Sequence, residues 1–148
     1  RKGTAVTLAG FGVEKYELEK DPSTGKFAAV GSGDGLLRQV DGIQVLSLTA
    51  TGEEITLDQS QGRGACHGDS GGPAFIKDSV TGKNILVGVT SRGTEVNGLC
   101  NREAIYTGVI GYAKWLQDGI KELSTEQTTL TDAPKSDDEA PKSESQPS

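Results

Sequence analysis

Hydrophobic positions in this chain come in short runs separated by Gly and Asp/Asn clusters. The stretches Ala5–Gly10, Leu36–Leu48, Glu54–Leu57, Ala74–Ile76, Ile85–Thr90 and Ala104–Val109 are apolar and many of their residues are β-branched. Runs of that length and spacing predict the strands of an all-β sandwich or barrel. Alternation is partial in Ile43–Leu48, as in a strand whose polar face is not fully solvated. Between Ile76 and Ile85 the segment KDSVTGKN supplies Gly82 and Asn84 and predicts a hairpin connection. Val13–Gly35 reads as loop.

The period changes after Val109. Ile110, Tyr112, Trp115, Leu116, Ile120 and Leu123 recur at helical spacing, which predicts one amphipathic α-helix closing the globular part and docking Trp115 on it. From Ser124 to Ser148 the pattern vanishes. That segment has no Gly and no aromatic residue, and Leu130, Ala133 and Ala140 are its only aliphatic or alanine positions. Such a composition cannot bury enough surface to offset the entropy of ordering. The expected organisation is therefore a globular part over residues 1–123 and a disordered acidic tail over 124–148. APKS occurs twice in the tail, at Ala133–Ser136 and Ala140–Ser143, as in a low-complexity linker. A tether to a further domain or to the cell surface is the sharper reading of the same residues.

Composition then narrows the classes. A chain of 148 residues with 33% hydrophobic content suits about one domain with a real core. None of its apolar runs approaches the ~20 residues needed to span a bilayer, and no secretory signal peptide is visible. The formal charge is −6, of which the tail's six acids and two lysines contribute −4. An acidic chain is a poor nucleic-acid partner. Methionine is absent, which predicts that the sequence is a piece of a longer one.

The segment Gly64–Phe75, GACHGDSGGPAF, carries most of the chemistry. Gly-Asp-Ser-Gly-Gly-Pro favours neither helix nor strand, yet it lies between strand signals. A Ser flanked by glycines suits a tight loop that aims its hydroxyl and its own N–H at one point. Physically such a loop is an anion-binding nest, a nucleophile turn, or a structural turn with no chemistry.

Gly64–Phe75 resembles the nucleophile loop of chymotrypsin-like (trypsin-fold) serine proteases, and four further stretches, placed in the family's order, support the match. VTLAGFG (Val6–Gly12) is similar to a strand ending in an aromatic residue and Gly. LVGVTSRG (Leu86–Gly93) is similar to the strand ending in the substrate-binding Ser-x-Gly. Leu99–Cys100 with Ile105–Val109 is similar to the far wall of the specificity pocket, and YAKWL (Tyr112–Leu116) to the terminal helix. The resemblance implies the C-terminal antiparallel β-barrel of the two-barrel fold, with a terminal α-helix.

It also implies roles. Ser70 is the nucleophile that forms an acyl-enzyme, and the N–H groups of Gly68 and Ser70 form the oxyanion hole. Asp69 is structural and needs a cation, which the family supplies as a new N-terminal ammonium on zymogen cleavage. Ser91 bonds near the triad carboxylate, and the Gly93 backbone pairs with substrate as an added strand. Cys66 and Cys100 match the disulfide joining the nucleophile loop to the opposite pocket wall, which implies an oxidising compartment, extracellular or periplasmic. Gly64 and Ala65 fall at the pocket base, His67 on its rim, Arg92 and Gly93 on one wall, and Ala104 near the bottom of the other. With no acid at the base, a small or apolar substrate side chain is expected there. A one-residue slip would instead bring in Glu103.

His67 is the only histidine, and three residues from Ser70 on the same loop it suits pocket lining rather than the general base. The catalytic His and Asp are expected from a preceding barrel, the expected partner beside a polypeptide substrate. Hence the expected function is a serine endopeptidase carrying nucleophile, oxyanion hole and pocket in this chain. The alternative is a pseudoprotease or binding module with the same fold. No metal and no cofactor are expected.

Overall fold

The computed structural model describes residues 1–95 and 99–131. Eight strands are present among them: β1 (Ala5–Gly10), β2 (Lys15–Lys20), β3 (Phe27–Ser32), β4 (Arg38–Leu48), β5 (Glu54–Asp58), β6 (Pro73–Lys77), β7 (Asn84–Gly93) and β8 (Glu103–Gly108). Six close an antiparallel barrel in the order β1-β4-β5-β8-β7-β6. Closure comes from β6 pairing back on β1, with Thr7 opposite Phe75 and Leu8 opposite Ala74. Each of the six barrel strands overlaps a predicted apolar run.

Side-chain alternation explains the interior. Val6 and Leu8 on β1, Ile43 and Val45 on β4, Ile55 and Leu57 on β5, and Ala104 and Tyr106 on β8 all point into one buried cluster. Their period of two is what a barrel strand requires. Each buried aliphatic side chain contributes about 1.5–3 kcal/mol relative to exposure. Register jumps between Val6 and Leu8, Val45 and Ser47, Ala74 and Phe75, and Thr90 and Arg92. Such bulges add local twist and bend, which lets a short-stranded sheet curl shut. The jump in β7 falls at Ser91.

β2 and β3 form a separate two-stranded sheet, paired from Lys15 opposite Ser32 to Lys20 opposite Phe27. This hairpin occupies the stretch read as loop from the sequence. Its Leu18, Phe27 and Val30 are exposed, so no buried face marks its strands. Its turn repeats the β6–β7 turn almost residue for residue. Asp21 N–H donates to Lys26 O and Gly25 N–H to Asp21 O, each at 2.8 Å, while Asp78–Lys83 and Gly82–Asp78 make the same pair of bonds at 2.8 Å. In both turns the Asp carboxylate then accepts from the Thr hydroxyl three residues on, Thr24 and Thr81. The hydroxyls of Ser23 and Thr24, with the Ser23 N–H, hold the Asp21 carboxyl down at about 2.

A 3₁₀ turn, Val109–Tyr112, leads into α1 (Ala113–Thr131). Arg1–Ala113 and the segment from Lys114 onward are two compact units, and the helix is described by itself. It runs past Leu123, where the apolar spacing stops. Ser124 and Thr125 donate their hydroxyls to Ile120 O and Lys121 O inside the helix, the back-bond to the preceding turn typical of these residues mid-helix. Most of the tail predicted to be disordered, residues 132–148, lies outside the described residues. Among the described residues no helix is long and apolar enough to cross a membrane.

Candidate active site

The Gly64–Gly72 loop connects β5 to β6 and is tied to β7. Gly71 N–H donates to Thr90 O at 3.0 Å and Thr90 N–H to Gly72 O at 2.8 Å. Within the loop, Asp69 N–H donates to Cys66 O at 3.1 Å and Gly72 N–H to Asp69 O at 2.9 Å. The Asp69 carboxylate is half-buried. Its Oδ1 accepts the Gly12 N–H and its Oδ2 the Cys66 N–H, each at 2.8 Å. A Cβ at Gly10 or at Gly12 would fall on that carboxylate. The Gly-x-Gly after β1 is therefore the clearance for Asp69. Among the described residues no cation pairs with Asp69; two backbone donors meet its charge.

The peptide between His67 and Gly68 is oriented from the other side. His67 O accepts the Val13 N–H at 3.0 Å, and this peptide is trans. Carbonyl and N–H point opposite ways in a trans unit, so the Gly68 N–H faces away from Val13. Gly68 has φ of 94°, a region that suits glycine. Neither the Gly68 nor the Ser70 N–H donates to another group among the described residues, whereas the intervening Asp69 N–H is used. Ser70 itself is exposed. Two unspent donors flank one half-buried, spent carboxylate.

A cavity of about 300 Å³ opens beside Ser70. Ala65, His67 and Ala104 line it, as do Ser91, Arg92 and Gly93 at the end of β7. The structure thus brings together every residue assigned to the pocket except Gly64. Gly64 lies behind the wall, lining neighbouring cavities, and Glu103 is not among the lining. The His67 ring sits 5.4 Å from the Tyr16 ring of β2, tilted by 50°. Cys66 and Cys100 are bonded, with Cα atoms 5.4 Å apart, and clamp the loop to the far wall. Among the described residues, the His, Cys, Asp and Glu donors close enough to share an ion are Cys66, His67 and Cys100. Their two sulfurs are consumed in that disulfide.

Three lining residues, Gln59, Thr90 and Glu95, escaped the sequence reading. Gln59 is only 1% exposed. Its Oε1 accepts the Ala65 N–H at 2.7 Å, and its Nε2 donates to Ala65 O at 2.9 Å and Cys100 O at 3.2 Å. The amide therefore spans the cavity from loop to far wall, and a Cβ at Gly64 would overlap it. Nothing in the local pattern separates Gln59 from the neighbouring Gln61 or signals this role. Glu95 follows β7 by two residues and also lines the cavity. Arg92 instead crosses to β5, where Nη1 donates to Glu54 Oε1 at 2.8 Å; that bond holds the Glu54 carboxyl below its ordinary value.

Behind Asp69 lies a second cavity of about 220 Å³, lined in part by Gly10, Gly12, Val13, Asp69 and Tyr106. The Tyr106 hydroxyl is buried without a hydrogen-bond partner among the described residues, and the nearby Thr90 hydroxyl donates to Gly72 O at 3.1 Å. Burial pushes the Tyr106 phenol up to about 12, with the Asp69 charge adding and Thr90 opposing.

A six-stranded antiparallel barrel presenting a Gly-Asp-Ser-Gly-Gly loop beside a side-chain-sized cavity defines the C-terminal barrel of the chymotrypsin-like fold. The Trypsin family profile matches residues 2–116, and the chain belongs to that family. It is 41% identical to human (Homo sapiens) Kallikrein-2 over 59 residues, which is 40% of this chain and 20% of that protein. To the Clotting factor G beta subunit of Tachypleus tridentatus it is 42% identical over 57 residues, 38% of this chain and 18% of that one. Serine protease 1 of Drosophila melanogaster is 38% identical over 64 residues, 43% of this chain and 23% of its own length. The chain thus covers about a fifth of each of these relatives.

Proposed function

We propose that this chain carries the nucleophile, oxyanion hole and substrate pocket of a serine endopeptidase. The observation that carries the reading is the unspent pair of N–H groups at Gly68 and Ser70 beside the exposed Ser70 hydroxyl. Attack by Ser70 Oγ on a peptide carbonyl, its proton passing to the base, gives a tetrahedral intermediate with a negatively charged oxygen, whose collapse breaks the C–N bond, releases the amine with that proton and leaves the Ser70 ester. The Gly68 and Ser70 donors meet that charge, an effect of about 3 kcal/mol per donor in acyl transfer. Water then hydrolyses the ester and restores Ser70.

The base lies outside these 148 residues. His67, the only imidazole, belongs to the pocket rim against Tyr16, and an oriented His–carboxylate pair is needed to take the Ser70 proton. A preceding barrel supplies that pair. Support comes from Phe11, Leu36 and Leu37, all exposed and drawn together beside the loop by the Gly35 N–H to Phe11 O bond at 2.8 Å. The cavity behind Asp69 then receives the N-terminal ammonium released on zymogen cleavage. The disulfide fits an extracellular or periplasmic setting.

The test is turnover of a peptide ester by the full-length protein and by its Ser70→Ala variant. A loss of at least ~10⁴-fold on Ser70→Ala is expected. A folded full-length protein with no turnover would favour the binding-module alternative.

A further inference from the structure

The cavity beside Ser70 holds one carboxylate that the reaction does not use. Glu95 Oε1 accepts the Arg102 N–H at 2.6 Å, which fixes the side chain. Oε2 is turned toward Gly93, where a Cβ would lie 2.7 Å from it, and it has no partner among the described residues. Arg92, on the same wall, is engaged by Glu54. Gln59, across the cavity, has both amide hydrogens committed to Ala65 O and Cys100 O. The Glu95 charge is therefore held half-buried, oriented and unneutralised in a space large enough for a side-chain-sized ligand.

We propose that Glu95 is the specificity-determining residue of this cavity, pairing with the guanidinium or ammonium group of a basic substrate side chain. This departs from the small or apolar preference expected when the pocket base is read from Gly64 and Ala65. That expectation considered acids at the base and at Glu103, whereas this one stands on the wall. Gly93 leaves the approach open, because any side chain there would displace the carboxylate. An oriented, unpaired carboxylate selects a cation over a neutral group of the same shape, since only the cation meets its charge.

The proposal rests on the proposed function for the identity of the cavity, so its test is a binding measurement made without catalysis. Benzamidine and benzamide, similar in shape and different in charge, are titrated by calorimetry into the full-length protein carrying Ser70→Ala. Benzamidine is expected to bind about 10-fold to 100-fold more tightly. Glu95→Gln keeps the acceptor for Arg102 N–H and is expected to abolish that preference, whereas Glu103→Gln is expected to retain it. Thermal unfolding of each variant verifies that it is folded. Equal affinity for the two probes, or a preference that survives Glu95→Gln, overturns the proposal. Loss on Glu103→Gln alone overturns it as well. Retained benzamidine preference in a protein whose Ser70 proves unreactive would leave Glu95 as a cation site and remove the endopeptidase reading.

Discussion

Replacing Gln59 by Ala removes a side chain that ties the Gly64–Gly72 loop to the far wall by hydrogen bonds. Three bonds vanish: Ala65 N–H to Oε1, and Nε2 to the Ala65 and Cys100 carbonyls. At ~1 kcal/mol net each they are worth about 3 kcal/mol. One methylene, Cγ, leaves the interior as well, at about 0.8 kcal/mol. Because Gln59 borders an open cavity, water can reach the stranded Ala65 N–H and offset part of this. The expected net loss is about 3 kcal/mol, seen in urea unfolding followed by far-UV circular dichroism as a midpoint lowered by roughly 1–3 M. Amide exchange should accelerate at Ala65 while β1 and β5 keep their protection. A stability change under about 0.5 kcal/mol, or unchanged exchange at Ala65, would mean that the disulfide alone shapes this wall. The reasoning about Gln59 would then be refuted.

On the proposed function, Gly68→Ala should lower kcat of the full-length protein by about 100-fold or more with little change in KM, since it strains φ at the proposed oxyanion hole and leaves the cavity lining intact; steady-state kinetics checks this. Replacing both Cys66 and Cys100 by Ser should cost about 4 kcal/mol by the loop-closure model for a 34-residue separation, measured by urea unfolding. Tyr106 titrates at about 12 when folded and near 10 when unfolded. A raised folded-state value means that its contribution is fully present below pH ~10 and is lost as pH rises through 12. Stability measured across that window should fall, and less steeply in Tyr106→Phe. These 148 residues alone should show negligible hydrolysis of peptide esters, and turnover comparable to the full-length protein would contradict the need for an external base.

The barrel was legible because burial writes a period of two into its strands. Val6 and Leu8, Ile43 and Val45, and Ile55 and Leu57 are the same residues in the pattern and in the core. β2 and β3 left no such mark, since Leu18, Phe27 and Val30 face solvent and the pairing of Lys15–Lys20 is carried by backbone bonds. The signal that could have found the hairpin was its turn, Asp-Pro-Ser-Thr-Gly-Lys, which repeats the chemistry of Asp78–Lys83. At the site, Ser70, Gly68 and Asp69 are contiguous and carry a motif. Gln59 and Glu95 act through the folded shape of the cavity, so no local spacing announces them. Asp69 illustrates the limit from the other side. Its type is visible in the sequence, yet the Gly12 and Cys66 N–H groups that meet its charge are set by the approach of two loops.

The central claim is that Ser70 is an activated nucleophile. Its most direct measurement is treatment of the full-length protein with a fluorophosphonate, followed by peptide mass mapping of the adduct. One phosphonyl group per molecule on Ser70, absent after Ser70→Ala, is the predicted result. A folded protein that takes up no label, or takes it up on a residue other than Ser70, would contradict the account.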